Sequence, residues 1–326
     1  LCHCLPTRRR GDDVFLKTDP VTGGYTVTYD SNSHIDLYYL NVGTGSPGTV
    51  TLEITAPNAS IYAFSFSVGT DYADNSAGSG AVAQSGGTVD TVALKLGNDP
   101  GDSGSYTLTG GSLYADFVDI GAYGSGVFTH DGATGSSNTT HDANQLYLGA
   151  FAGSHCTYNL GAGELTSDSQ YIGYNGTGEF NQTSPLNSHN TTNSLYLGYD
   201  YSGIGTYTMM GGWLTAGSES IGDEGTGTFT QWGGLNSVSG DLTIGFFSGS
   251  SGAYSMMGVL GGNPTLTVAN NVYIGKGGNG TFTQEGGSIT AANEYIGYEG
   301  QGTSTQNSGT NTVSGALYLG YVGFGT

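Results

Sequence analysis

The apolar residues of this chain come in short bursts rather than in long amphipathic waves. A strand-like burst ending in Gly recurs as FSVG (Gly69), LKLG (Gly97), VDIG (Gly121), LYLG (Gly149), QYIG (Gly173), LYLG (Gly198), ESIG (Gly222), LTIG (Gly245), VYIG (Gly275), EYIG (Gly297) and LYLG (Gly320). From Gly69 to Gly320 the mean spacing is about 25 residues. YLNVG at Gly43 and VFLK at Lys17 extend the series toward the start. In most bursts the first and third residues are apolar, as in Leu146 and Leu148, Leu195 and Leu197, or Val272 and Ile274. Strand alternation sends these inward and the middle residue outward, and Tyr147, Tyr171, Tyr196, Tyr273, Tyr295 and Tyr318 hold that outward position. The row is broken at Asp119, Ser220 and Thr243.

Two further segments follow each burst in fixed order. An aromatic-centred strand comes first, as in SYTLTGG around Tyr106, GTYTMMGG around Tyr207, GTFTQWGG around Phe229, GAYSMMG around Tyr254 and GTFTQEGG around Phe282. A third piece follows the glycines, such as WLTAG at Leu214, LNSVSG at Val238, LTVAN at Val268 or SITAA at Ile289. Three short strands and three turns in one period describe one coil of a parallel β-helix. The sequence therefore predicts an all-β, three-sided solenoid of about twelve coils of ~25 residues over 14–326, behind an arm at 1–13. Right-handed winding is expected from the coil length.

Tyr and Phe both occupy the centre of the aromatic strand, so its ring is expected inside and its hydroxyl is expected to be dispensable. Two residues further on, the series Leu108, His130, Leu160, Gln182, Met209, Gln231, Met256, Gln284 alternates apolar and polar. That alternation doubles the structural unit to about 50 residues.

Composition agrees with the pattern. Sixty Gly in 326 residues disfavour helix, while 36% hydrophobic residues and 23 Tyr give the chain surface to bury and argue against disorder. Charged residues are 10% of the chain and the net charge is -20 with six Lys plus Arg, which excludes a nucleic-acid partner read by a basic face. No apolar run approaches the roughly 20 residues of a membrane span. The chain opens on Leu1 without an apolar leader, so a removed signal peptide and an extracellular or cell-surface location are expected. Asn58, Asn138, Asn175, Asn181, Asn190 and Asn279 head N-x-S/T sequons and are candidate glycan acceptors.

The words LYLGY, GTGTFTQ-x-GG and Gly-Gly-x-Leu-Thr resemble the Gly/Thr/Asn-rich β-strand repeats of exported bacterial proteins. They are similar to autotransporter passenger regions and to surface proteins with a C-terminal sorting tail. The resemblance covers roughly residues 44–326 and implies secretion, adhesion or surface structure. The chain departs from those families in showing neither a terminal membrane barrel nor an apolar sorting tail.

Candidate chemistry is sparse. β-Helical lyases and hydrolases cluster carboxylates with Lys, Arg or His on neighbouring coils. Here Lys95 and Lys276 are the only bases beyond Lys17, and Asp119, Glu219, Glu294, Asp223 and Glu224 share no single repeat position. No enzyme is predicted, and no catalytic, cofactor or metal residue is assigned. Calcium-binding repeat and EF-hand spacings are absent, so Asp99 with Asp102 and Asp223 with Glu224 read as loop acids. His130, His141, His155 and His189 fall in different coils without metal-ligand spacing. Cys2, His3, Cys4 and Cys156 make no disulfide framework, and Arg10-Gly11-Asp12 reads as part of a solvated arm. Trp213 and Trp232 read as core or edge fillers.

Neither end of the array carries a polar cap, and the last burst is followed at once by YVGFGT. Residues 1–17 hold four basic and two acidic groups, against two basic and 24 acidic in the rest. These features predict a structural subunit that assembles head to tail with copies of itself into an extracellular filament or surface appendage. The assembly residues would be Arg8, Arg9, Arg10, Val14, Phe15 and Leu16 at one end, and Leu317, Tyr318, Leu319, Tyr321 and Phe324 at the other. The alternative is a monomeric surface adhesin or carbohydrate-binding stalk, with surface glycans as partner.

Overall fold

The computed structural model describes residues 12–17, 23–44, 48–70, 77–132, 139–184, 187–258 and 262–326. Among them there is no helix. The chain is a parallel β-solenoid of about twelve turns set about 25 residues apart, as the burst spacing predicted. Contacts divide it into two compact units, Leu1–Thr166 and Ser167–Thr326. The repeat that the spacing marks over 14–326 runs through both units. In a solenoid each coil packs against its neighbours alone, so a long array has no common core to unify it.

In the Leu1–Thr166 unit the predicted inward columns are continuous in register. Leu40, Phe66, Leu94, Val118 and Leu146 stand in one column, and Val42, Val68, Leu96, Ile120 and Leu148 in the other. All ten are fully buried. The Ser167–Thr326 unit repeats the arrangement with Leu197, Ile221, Ile244, Ile274, Ile296 and Leu319. Its first inward column runs Leu195, Glu219, Leu242, Val272, Glu294, Leu317, so two carboxyls occupy core positions.

The glycine that closes each burst is required by the corner. Gly198 has φ +65°, and a Cβ there would strike the carbonyl oxygen of Thr226 on the next coil. No L side chain fits both conditions at once.

The aromatic strands build a stacked spine inside each unit. Tyr106, Phe128 and Tyr158 stack with centroids 5.1 and 4.8 Å apart. In the second unit Phe180, Tyr207, Phe229 and Tyr254 follow at 4.7, 4.7 and 4.6 Å. The rings are buried as predicted, but the expectation that the hydroxyl is dispensable is overturned. Tyr and Phe alternate rather than interchange, and each Tyr hydroxyl bonds to the polar residue of the preceding coil. Tyr207 donates to Gln182 Oε1 at 2.7 Å and Tyr254 to Gln231 Oε1 at 2.7 Å. Tyr106 donates to Gln84, and Tyr158 meets His130 Nδ1 at 3.2 Å.

The glutamines explain why the unit is doubled. Gln182 Nε2 donates to the carbonyls of Ser188 (3.0 Å) and Trp213 (3.1 Å), spanning the corner of its own coil and the strand of the next. Gln231 bridges Gly234 and Thr265 in the same way, both at 3.1 Å. One amide thus satisfies two corner carbonyls that burial would otherwise orphan, and its own oxygen takes the Tyr proton. A Tyr coil follows the Gln coils of Gln84, Gln182 and Gln231, whereas Gln284 bridges Gly287 and Thr310 with Ser304 and Gln306 on the coil above it.

Candidate functional site

The outer surface of the Ser167–Thr326 unit carries two aromatic rows flanking the anchor glycine. The row preceding it runs Tyr171, Tyr196, Ser220, Thr243, Tyr273, Tyr295, Tyr318, of which positions 196–318 are in unbroken register. The row following it runs Tyr174, Tyr199, Asp223, Phe246, Lys276, Tyr298, Tyr321. Backbone bonds step along this second row, from Asp223 N to Gly198 O at 3.1 Å and from Phe246 N to Gly222 O at 2.9 Å. Within each row the rings stack, as Tyr171 on Tyr196 (5.1 Å) and Tyr298 on Tyr321 (5.1 Å). Between rows they meet edge to face, as Tyr196 with Tyr199 at 5.1 Å and 82°. This quadrupole-favoured geometry makes two rigid ring clusters, one at Tyr171 to Tyr199 and one at Tyr273 to Tyr321.

A single coil breaks both rows. Ser220 and Asp223 stand where rings would stack, and Ser220 Oγ donates to Asp223 Oδ1 at 2.6 Å. A surface cavity of about 340 Å³ opens there. Tyr196 and Tyr199 wall one side, while Phe246, Phe247 and Lys276 wall the other. Ser218, Ser220, Asp223, Asp241 and Thr243 contribute polar lining between them. Lys276 Nζ lies over the rings of Phe246 (4.3 Å) and Tyr273 (4.8 Å), a cation–π sandwich that fixes its end of the cavity. Burial pushes the Asp223 carboxyl up, against the lowering pull of its Ser220 bond, while Glu224 raises it and Lys276 lowers it. The break at Ser220 and Thr243 was visible in the sequence. The second row and its loss at Asp223 can be read as well, from the residue after each anchor glycine, but that the two breaks open one cavity depends on the folded coil.

A cleft of about 300 Å³ in the Leu1–Thr166 unit has a different character. Asp36, Tyr62, Asp90, Tyr114 and Asp142 form one outward column, alternating acid and ring from coil to coil. Asp90, Asp116 and Asp142 line that cleft.

Several residues singled out by sequence take other roles. Asp102 is buried and braces its turn, accepting from Gly78 N at 2.7 Å and Asp99 N at 3.0 Å. His130 and His141, expected apart, converge in the core: His141 Nδ1 lies 2.8 Å from the Tyr158 hydroxyl that His130 also meets. Burial lowers the His130 pKa to about 4 and holds that of His141 well below its ordinary value. Glu219, at its core position, accepts from Asn236 Nδ2 at 3.2 Å, and burial raises its pKa to about 8. Trp213 does not fill the core, but stacks outside on His189 at 4.4 Å. Among the described residues no group of three or more His, Cys, Asp or Glu could hold a metal.

The Asn190 sequon is closed in the folded chain. Its side chain is 1% exposed, bonded to Gln170 and to the Tyr207 hydroxyl, so the assignment of Asn190 as a glycan acceptor is corrected. Asn58 and Asn279 are exposed, and Asn175 and Asn181 are half-buried. Arg8, Arg9, Arg10 and Asn138 lie outside the described residues, as do Cys2, His3 and Cys4. Val14, Phe15 and Leu16 belong to the Asp12–Lys17 strand, paired in parallel with Leu40, Asn41 and Val42. Leu317, Tyr318 and Leu319 pair with Glu294, Tyr295 and Ile296. Tyr321 and Phe324 follow, both exposed. The two predicted assembly sets thus lie in different units.

No protein-family profile, curated protein or solved structure matches the chain.

Proposed function

We propose that the chain is a structural subunit of an extracellular filament or surface appendage, in which copies stack coil upon coil. One observation carries the reading. From Leu195 and Leu197 through to Leu317 and Leu319, each coil pairs in parallel with the next through the same two inward columns, a contact that repeats along the axis. A coil of a second copy seated on Leu317 and Leu319 would extend both columns and continue the sheet's hydrogen bonding. A second copy offers such a coil through its Asp12–Lys17 strand, giving a heterologous contact that repeats without closing. The role is mechanical and asks for no cofactor or catalytic group.

Negative-stain microscopy of the purified chain tests it. Uniform fibres that disappear in the Leu317→Lys, Leu319→Lys double variant are expected. Short single rods at every concentration would overturn the proposal.

A further inference from the structure

We propose that the interruption of the aromatic rows at Ser220 and Asp223 is a binding site for one neutral pyranose ring of a saccharide. The inference stands apart from end-to-end assembly, since every residue of the site lies within the Ser167–Thr326 unit.

Spacing selects the thickness of the ligand. Adjacent rings of the second row stand 5.0 Å apart at Tyr174 and Tyr199 and 5.1 Å apart at Tyr298 and Tyr321. Tyr199 and Phe246 are two steps apart, which leaves about 10 Å between their positions. Two stacking contacts of roughly 3.5–4 Å across a flat aromatic group fill only about 7–8 Å. A puckered saturated ring is thicker and suits the space. Its apolar C–H faces can lie on the Tyr199 and Phe246 sides while its hydroxyls project around the rim.

Chemistry selects a hydroxyl-rich ligand over a purely apolar one. The polar lining holds the carboxyl groups of Glu219, Asp223 and Asp241, with Ser218, Ser220 and Thr243 able to accept or donate; Glu219 is buried behind the others on Asn236, which leaves Asp223 and Asp241 to meet a ligand. Asp223 is 7% exposed and its recorded side-chain donor is Ser220. A ligand hydroxyl donating to Asp223 forms a charge-assisted bond in a partly desolvated place, where such bonds are strongest. An anionic sugar would face two carboxylates against one ammonium, and that ammonium already lies over two rings. The volume of about 340 Å³ lies at the low end of small-ligand sites, which fits one ring and its substituents rather than a long chain.

The chain itself supplies the decisive variant. Ser220→Tyr restores the ring found at the same position on other coils and so fills the cavity, at the loss of the Ser220 bond to Asp223. Titration calorimetry would use the methyl glycosides of glucose, galactose, mannose and N-acetylglucosamine, with phenol as the flat control. At least one glycoside is expected to bind wild type at a 1:1 ratio. Tyr199→Ala and Asp223→Asn should each weaken it about tenfold, and Ser220→Tyr should abolish it with an unchanged melting temperature. Three outcomes each overturn the proposal: no heat from any glycoside at millimolar concentration, glycoside binding that survives Ser220→Tyr, or binding of phenol alone. Thr243→Tyr, which fills the adjoining gap, repeats the test if Ser220→Tyr melts lower.

Discussion

The hydroxyl of Tyr207 shows how much a single oxygen organises. It donates to Gln182 and accepts from Asn190, and Gln182 in turn holds two corner carbonyls. Tyr207→Phe keeps the stacked ring and removes only that oxygen. It leaves the buried Gln182 acceptor without its Tyr donor, at a cost of about 1–3 kcal/mol that urea unfolding would measure. Tyr114→Phe changes an exposed ring on the outer surface and should stay within about 0.5 kcal/mol of wild type, so the contrast isolates burial. The stacked ring was legible in the sequence because aromatic residues recur at one repeat position. The need for the oxygen was not, because its partner lies one coil earlier and becomes a neighbour only once the register is known.

At the scale of the coil, the buried groups Glu219 and His130 respond to pH in opposite directions. Folded Glu219 keeps its proton to about pH 8, while an unfolded glutamate releases it near its ordinary value of 4.5. Its contribution is therefore full below pH 4.5 and is lost as pH rises through 8. His130 behaves in reverse: the unfolded ring takes a proton near 6.5 and the folded ring only near 4. That contribution is full above pH 6.5 and is lost as pH falls through 4, and His141 acts in the same direction. The chain holds neutral substitutes at equivalent places, Gln170 for Glu219 and Gln182 for His130. Thermal melts across pH 4–9 should show that Glu219→Gln removes the alkaline loss and His130→Gln reduces the acid loss. Equal pH profiles for wild type and both variants would refute the assignment. Sequence placed Glu219 on an inward strand position, yet a carboxyl there reads as surface until Asn236 is seen beside it. The expectation that the histidines fall in different coils is corrected for His130 and His141, which share the coil between Gly121 and Gly149, and only the folded corner brings both to Tyr158.

Across the whole molecule, the repeat length, strand order and inward columns could all be read from glycine and apolar spacing. Local pattern and global fold agree because each coil repeats the contacts of the last. What spacing did not supply was the outer cavity, which opens where the coil of Ser220 and Asp223 departs from the others.

The Tyr–Gln handshake imposes an odd-even rule on how such a chain can grow or shrink. Removing residues 198–244 excises two coils and brings Phe180 and Gln182 beneath Tyr254, so donor still meets acceptor. Removing residues 198–221 excises one and sets Phe229 over Gln182, with two amides in succession and no phenol to serve the first. The two-coil deletion should melt cooperatively near the parent temperature, and the one-coil deletion, though it discards less, should melt well below it. Equal melting of the two would refute the rule. Between Phe180 and Tyr254, gain or loss of coils should therefore be counted in pairs, while past Phe282, where Gln306 already follows Gln284, the rule no longer applies.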